Sequence, residues 1–293
     1  MPAQIIDGRK ISSRIQAGLI SSVRSLKEQT RGVPKLVNLI ATGSPGSLAY
    51  ANAQQRCAEQ VGIDYQLIRF DNGADEAVLI SQIEACNADP EVTGIMLHKP
   101  LPPGCDYQRL VRAILPVKDV EGLHPQNMGQ LFSGEPRFIP CTPAAVMECL
   151  TASGVTLYGK EAVVVGASEI VGQPLSLLLL QRMATVTVCH IATTEAGRLP
   201  EHVARADVLI VAVGCPEVIK GAWVKTGAVV VDVGINNRDG KIVGDVEYEP
   251  ARQRAAYITP VPGGVGPVTV MMLMRNGLQA YIQQKRIPDS KIV

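Results

Sequence analysis

Along the first part of the chain the apolar positions switch repeatedly between helical spacing and short unbroken runs. Ile11, Ile15, Leu19, Val23 and Leu26 recur every three or four residues with Lys, Arg and Ser between them, which predicts a helix over Ile11–Leu26. After Gly32-Val-Pro34, the run Lys35–Ala41 predicts a strand, then comes a loop, Thr42–Leu48, and a helix over Ala49–Val61 that Gly62 ends. Asp64–Phe70 reads as the next strand, Glu76–Asn87 as a helix, and Thr93–Leu97 as a third strand closed by the loop His98–Gly104. Strands alternating with helices imply parallel βαβ units. The first half is therefore expected to be an α/β domain of its own.

The Pro-rich passage Pro136–Pro143, followed by a helix over Ala144–Ser153, marks a boundary, and the pattern then restarts. Strands are predicted at Ala162–Val165, Thr185–Cys189, Val208–Val213 and Ala228–Val233, and helices at 174–183, Leu199–Arg205 and Val270–Gln284. The fold class expected is thus α/β with two domains and a ligand cleft between them. Gly166, Ser168 and Gly172 follow the β-branched run Ala162–Val165, and Pro174 sits at the start of the next helix. Strand, small-residue turn and helix N-terminus form a phosphate cradle, because free backbone N–H groups and the helix dipole face the anion. The spacing Gly-x-Ser-x-x-x-Gly differs from the usual dinucleotide fingerprint, so an ordinary strand-to-helix turn stays open at this point.

Composition narrows the classes. With 46% apolar residues and a net charge of +1, the 293-residue chain has no basic or acidic field for nucleic acid or an anionic membrane. Its seven cysteines are scattered without a Cys-x-x-Cys pair or a His cluster, which points to a reducing cytoplasm and to no metal site. No signal peptide pattern opens the chain, and no apolar run approaches the roughly 18 residues of a membrane span. Cys141 and Cys189 read as buried structural thiols, His124 and His190 as structural histidines, Trp223 as packing, and 247–254 as a solvated helix face.

Several motifs carry a resemblance: Ile6-Asp7-Gly8, Ser47 with Tyr50, Lys118–Gly122 with His124, Pro125 and Asn127, Pro140–Pro143, Gly166–Ser168 with Gly172, Asp232–Asn236, Gly244–Val246, and Ile258–Pro267 with Thr269. In this order the chain is similar to the methylenetetrahydrofolate dehydrogenase/methenyltetrahydrofolate cyclohydrolase family from about Ile5 to Tyr281. The resemblance implies a folate domain, 1–141 with 279–293, and a Rossmann-like NAD(P) domain, 142–278, in a homodimer. It implies oxidation of 5,10-methylenetetrahydrofolate and hydrolysis of the methenyl product to 10-formyltetrahydrofolate. By position, Ser47, Tyr50, Leu97, His98, Lys99, Asp119, Glu121 and Pro262, Gly263, Gly264, Val265 and Gly266 would line the folate. Gly166, Ala167, Ser168, Ile191, Gly214, Ile235 and Thr269 would hold the dinucleotide, and Tyr50, Gln54, His98 and Glu121 fall at the catalytic positions.

Three of those positions depart from the family pattern. Gln54 stands where the motif Tyr-x-x-x-Lys has its lysine, His98 where a glutamine is usual, and Glu121 where an aspartate is usual. Hydride transfer moves no proton and depends on holding donor and acceptor in attack geometry. Hydrolysis needs proton exchange as water adds and a ring nitrogen leaves, and an amide has no proton to exchange near neutral pH. The expectation is an intact dehydrogenase whose cyclohydrolase activity is weak or lost. Three alternatives stay open: an enzyme with both activities in which His98 or Lys99 moves protons, a folate-binding homologue without catalysis, and hydride transfer from another pterin adduct. Ile191, an apolar residue at the end of the second strand, leans the cofactor towards NAD or relaxed use of NADP, unless Arg182, Arg198 or Arg205 reaches the site.

Overall fold

The computed structural model describes residues 1–42, 45–70 and 74–288. Gly43 and Ser44 of the expected loop, and 289–293 at the end of the expected folate domain, lie outside the described residues. The chain opens with β1 (Gln4–Ile5), α1 (Gly8–Thr30), β2 (Lys35–Ile40), α2 (Pro45–Val61), β3 (Asp64–Arg69), α3 (Glu76–Ala88) and β4 (Gly94–His98). Three helices follow: α4 (Tyr107–Ala113), α5 (Pro125–Phe132) and α6 (Cys141–Ser153). Then come β5 (Glu161–Val165), α7 (Gly172–Gln181), β6 (Thr185–Cys189), α8 (Ile191–Glu195), α9 (Leu199–Arg205), β7 (Val208–Val211) and β8 (Val229–Asp232). The chain closes through β9 (Asn236–Arg238), β10 (Lys241–Val243), α10 (Tyr248–Arg252), β11 (Tyr257–Ile258) and α11 (Val265–Gln284).

Two compact units result, one of 14–141 with 270–293 and one of 1–13 with 142–269. The smaller sheet, in the first of these, is parallel with strand order β3-β2-β4. Its central strand is buried along Leu36–Ile40, and Leu39, Leu79, Ile83, Ile95 and Leu110 pack at 0% exposure. The larger sheet of the second unit is parallel with order β1-β11-β8-β7-β5-β6 among the described residues. Its inner strands β5, β7 and β8 are apolar without alternation because both faces are covered. Val163, Val211, Val230 and Ile258 meet Leu199 and Val203 of α9 in one core, with Trp223 packed against it.

The compact units divide the chain at other positions than the expected domain limits. Residues 1–13 do not join the smaller sheet, because β1 pairs in parallel with β11: Gln4 with Tyr257 and Ile5 with Ile258. The last helix starts at Val265 rather than Val270, and the chain changes unit after Thr269 rather than after 278. The strand expected over Val208–Val213 stops at Val211, because the N–H of Val213 donates to the Asp245 carboxylate instead of a neighbouring strand. Helix α2 begins at Pro45 rather than Ala49, a proline at its first position. The short helices α4, α5 and α8 and the hairpin β9–β10 lack a long apolar period and were not predicted.

Candidate functional site

In the unit of the smaller sheet, Tyr50, Gln54, Leu97, His98 and Glu121 converge. Tyr50 and Gln54 stand four residues apart on α2 and so share a face. Gln54 is 4% exposed, and its Oε1 accepts from Asn38 Nδ2 at 2.9 Å and from the Tyr65 hydroxyl at 3.0 Å. His98 Nε2 lies 3.4 Å from the same oxygen, and the His98 ring is 5.6 Å from that of Tyr50. Asn38 also donates to the Tyr65 hydroxyl at 2.6 Å, while its own Oδ1 is buried without a partner. Neither Asn38 nor Tyr65 was singled out from sequence. The available signal was a polar residue inside the apolar run of β2.

Burial governs the titration of this cluster. It pushes the Tyr50 hydroxyl well up, although 39% of the whole residue faces solvent, because the hydroxyl end is turned towards Gln54, Cys141 and Glu121. Tyr65 is raised to about 12 and the Cys141 thiol is also pushed up, both by desolvation first, so these groups stay protonated. Burial lowers His98, which keeps the imidazole neutral. Glu121 is raised to about 7 by desolvation and secondarily by Asp119, against the N–H of Leu97 that donates to its Oε2 at 3.1 Å. Asp119, 2% exposed, has its Oδ2 taken up by the His124 N–H and Asn127. Lys99 does not join Gln54: its ammonium lies over the Tyr107 ring, 3.7 Å from the centroid. Ser47 donates to the Lys99 carbonyl at 3.3 Å.

In the unit of the larger sheet, the turn after β5 is a tight cradle. Gly166 has φ +119°, and a Cβ there would stand 2.3 Å from the Ala212 carbonyl oxygen. A Cβ on Gly172 would stand 1.8 Å from the Gly166 carbonyl oxygen, so α7 can press onto the turn only because both residues are glycine. Ser168 Oγ accepts from the Val171 N–H at 3.2 Å and shapes the turn. The cradle lies at the carboxyl end of β5, where the strand order reverses between β6 and β7, the place where such sheets bind ligands. Ile191 at the start of α8 is 72% exposed and Ile235 after β8 is 66% exposed. Thr269 turns its hydroxyl to the Val265 carbonyl within its own helix. Pro262, Gly263, Gly264, Val265 and Gly266 line a pocket of about 190 Å³ together with Arg9, Asp232 and Ile235. Among the described residues no group of His, Cys, Asp and Glu could hold a metal ion.

Residues 6–121 match the model of the tetrahydrofolate dehydrogenase/cyclohydrolase catalytic domain, and residues 140–285 match that of its NAD(P)-binding domain. The chain belongs to the tetrahydrofolate dehydrogenase/cyclohydrolase family. A relative from Myxococcus xanthus, named bifunctional protein FolD 2, is 45% identical over 98% of this chain and 99% of its own length. A solved relative, the Trypanosoma brucei methylenetetrahydrofolate dehydrogenase-cyclohydrolase with NADP and an inhibitor, superposes with a TM-score of 0.94. It is 37% identical and covers 98% of this chain and 99% of that one. The NAD-dependent methylenetetrahydrofolate dehydrogenase of Saccharomyces cerevisiae superposes at 0.83 with 26% identity, over 98% of this chain and 99% of its own. As a member of this family, the chain has its catalytic-domain match on the unit with the Gln54 cluster. Its NAD(P)-binding match falls mostly on the unit with the Gly166 cradle, with 270–285 in the other unit.

Proposed function

We propose that this enzyme oxidises 5,10-methylenetetrahydrofolate to the methenyl form with NAD(P)⁺ and hydrolyses the methenyl product weakly or not at all. The observation that carries this reading is the sequestered Gln54, whose oxygen is held by Asn38 and Tyr65. The cradle a Cβ would fill at Gly166 and Gly172 fits a pyrophosphate, with Ser168, Gly214 and Ile235 completing the dinucleotide site. When bound, the nicotinamide supplies the hydride acceptor. The chain's own part in that step is placement: Tyr50 and His98 wall the folate, and Glu121 holds the pterin N–H groups. Because no proton moves, a neutral cluster suffices.

Hydrolysis asks more. Water adds to the methenyl carbon and loses a proton, a ring nitrogen gains one, and the carbon–nitrogen bond breaks. Gln54 offers no exchangeable proton, Tyr50 and Tyr65 hold theirs tightly, and Lys99 is engaged with Tyr107. His98, neutral and against Gln54, and Glu121, raised to about 7, are the remaining candidates, and the histidine is the one tested first. A two-stage assay decides: methylenetetrahydrofolate with NAD⁺ or NADP⁺ gives reduced cofactor, while enzyme-dependent loss of methenyltetrahydrofolate stays near the spontaneous rate. Hydrolysis that disappears in His98→Ala would instead assign both activities to this enzyme.

NAD⁺ or relaxed use is the cofactor reading. Ile191 is apolar, Arg205 donates to Thr187, and Arg198 faces Glu201, so two of the three candidate arginines have local partners. Ile191→Arg is expected to improve kcat/KM for NADP⁺ about tenfold relative to NAD⁺, about 1.4 kcal/mol. A homodimer in the cytoplasm fits the exposed Leu180, Met183 and Val188 beside β6, and seven cysteines all free.

A further inference from the structure

Two buried carboxylates outside the catalytic cluster bind almost nothing but backbone. Asp245, 0% exposed, accepts on Oδ2 from the N–H of Val213 at 2.7 Å and of Gly214 at 2.9 Å. Its Oδ1 accepts from the Cys215 N–H at 2.9 Å and from Asn236 Nδ2 at 2.8 Å. Asp232, 4% exposed, accepts from the N–H groups of Gly234, Asp245 and Val246. Among the described residues neither forms a salt bridge. The two are interlocked, because a Cβ on Gly234 would stand 2.2 Å from the Asp245 carboxyl carbon and one on Gly244 1.9 Å from Asp232 Oδ2. Burying two carboxylates together without a cation is costly; the hydrogen bonds offset part of that cost, and desolvation and then Asp245 still raise Asp232 to about 7.

What these bonds join is specific. Val213–Cys215 is the segment after β7 and carries Gly214, whereas Gly234–Asn236 follows β8 and carries Ile235. Ile235 shares its pocket with Pro262–Gly266 and with Asp232 itself. Donor and acceptor carbons must touch for hydride transfer. On the proposed function, a pocket bordered by a dinucleotide residue and by the folate loop is the nicotinamide end of the cofactor site. Among the described residues no hydrogen bond joins the Gly166–Gly172 turn, the proposed pyrophosphate cradle, to either aspartate.

We propose that Asp232 and Asp245 are positioning residues that set the width of the nicotinamide end by tying the Gly214 segment to the Ile235 segment. The role rests on the cofactor reading above, and the test separates the two. Equilibrium binding of NAD⁺, NADP⁺ and ADP-ribose is measured for the wild type, Asp245→Asn, Asn236→Ala and, as a surface control, Glu249→Gln. In Asp245→Asn an amide N–H₂ faces the backbone donors, so the Kd of the preferred dinucleotide rises at least tenfold while that of ADP-ribose stays within twofold. Asn236→Ala, which removes one bond to Asp245, moves the dinucleotide the same way by less and carries the test if Asp245→Asn fails to fold. Glu249→Gln changes neither. Unchanged dinucleotide affinity in the variants, or equal weakening of dinucleotide and ADP-ribose, overturns the positioning role. A wild type that binds ADP-ribose and neither dinucleotide overturns the cofactor reading and this role with it.

Discussion

Gln54 is the residue on which the proposed split between the two activities rests. Its oxygen accepts from Asn38 and Tyr65, so an ammonium placed there would require the Asn38 amide to turn its unpartnered Oδ1 and the Tyr65 hydroxyl to turn its lone pairs towards the new charge. Gln54→Lys is expected to lower stability by about 1–3 kcal/mol while raising methenyl hydrolysis at least tenfold, checked by thermal unfolding and the second assay stage. Glu121 sets a second expectation. Its carboxyl holds a proton more tightly folded than unfolded, so this contribution to stability is full below its ordinary value of 4.5 and is lost as pH rises through about 7. On the proposed function the ionised form would grip the pterin, and it gains population over the same window. The KM for methylenetetrahydrofolate should therefore fall as pH rises through about 7, and Glu121→Gln should flatten that profile.

At the scale of elements, the junction between β5 and α7 depends on contact closer than any side chain allows. Gly172→Ala puts a methyl 1.8 Å from the Gly166 carbonyl oxygen, so the start of α7 must move away from the turn. Calorimetric titration should show dinucleotide affinity weakened at least tenfold. The strand ends matter for the same reason. β7 stops where Val213 turns to Asp245, and from there the N–H groups of Val213, Gly214 and Cys215 all donate to that carboxylate instead of to a strand. Helix α2 acts differently: its four-residue spacing is what puts Tyr50 and Gln54 on one face.

Across the whole molecule, the chain's first residues complete a sheet built mostly from its second half. Ala3 and Ile6 are buried at 6% and 4%, and β1 closes the larger sheet beside β11. Removing residues 1–6 should lower the melting temperature by several degrees, as loss of the buried Ile6 side chain costs about 1.5–3 kcal/mol and that of the Ala3 methyl about 0.8 kcal/mol. Much of the rest was legible without coordinates. Runs such as Ala162–Val165, and Leu36–Ile40 apart from Asn38, announce strands covered on both faces, because a doubly buried strand stays apolar without alternation. The Gly166–Gly172 spacing and the motifs around Tyr50, Glu121 and Pro262–Gly266 likewise carried the family, which the matches to both domain models bear out. Local period says nothing about distant pairing, however. That β1 belongs beside β11, that Asn38 and Tyr65 close around Gln54, and that Asp232 and Asp245 bind loop backbones were decided by tertiary structure. Each is a contact between segments far apart along the chain or a hydrogen bond to main-chain groups common to every residue, and neither leaves a periodic trace in side-chain polarity.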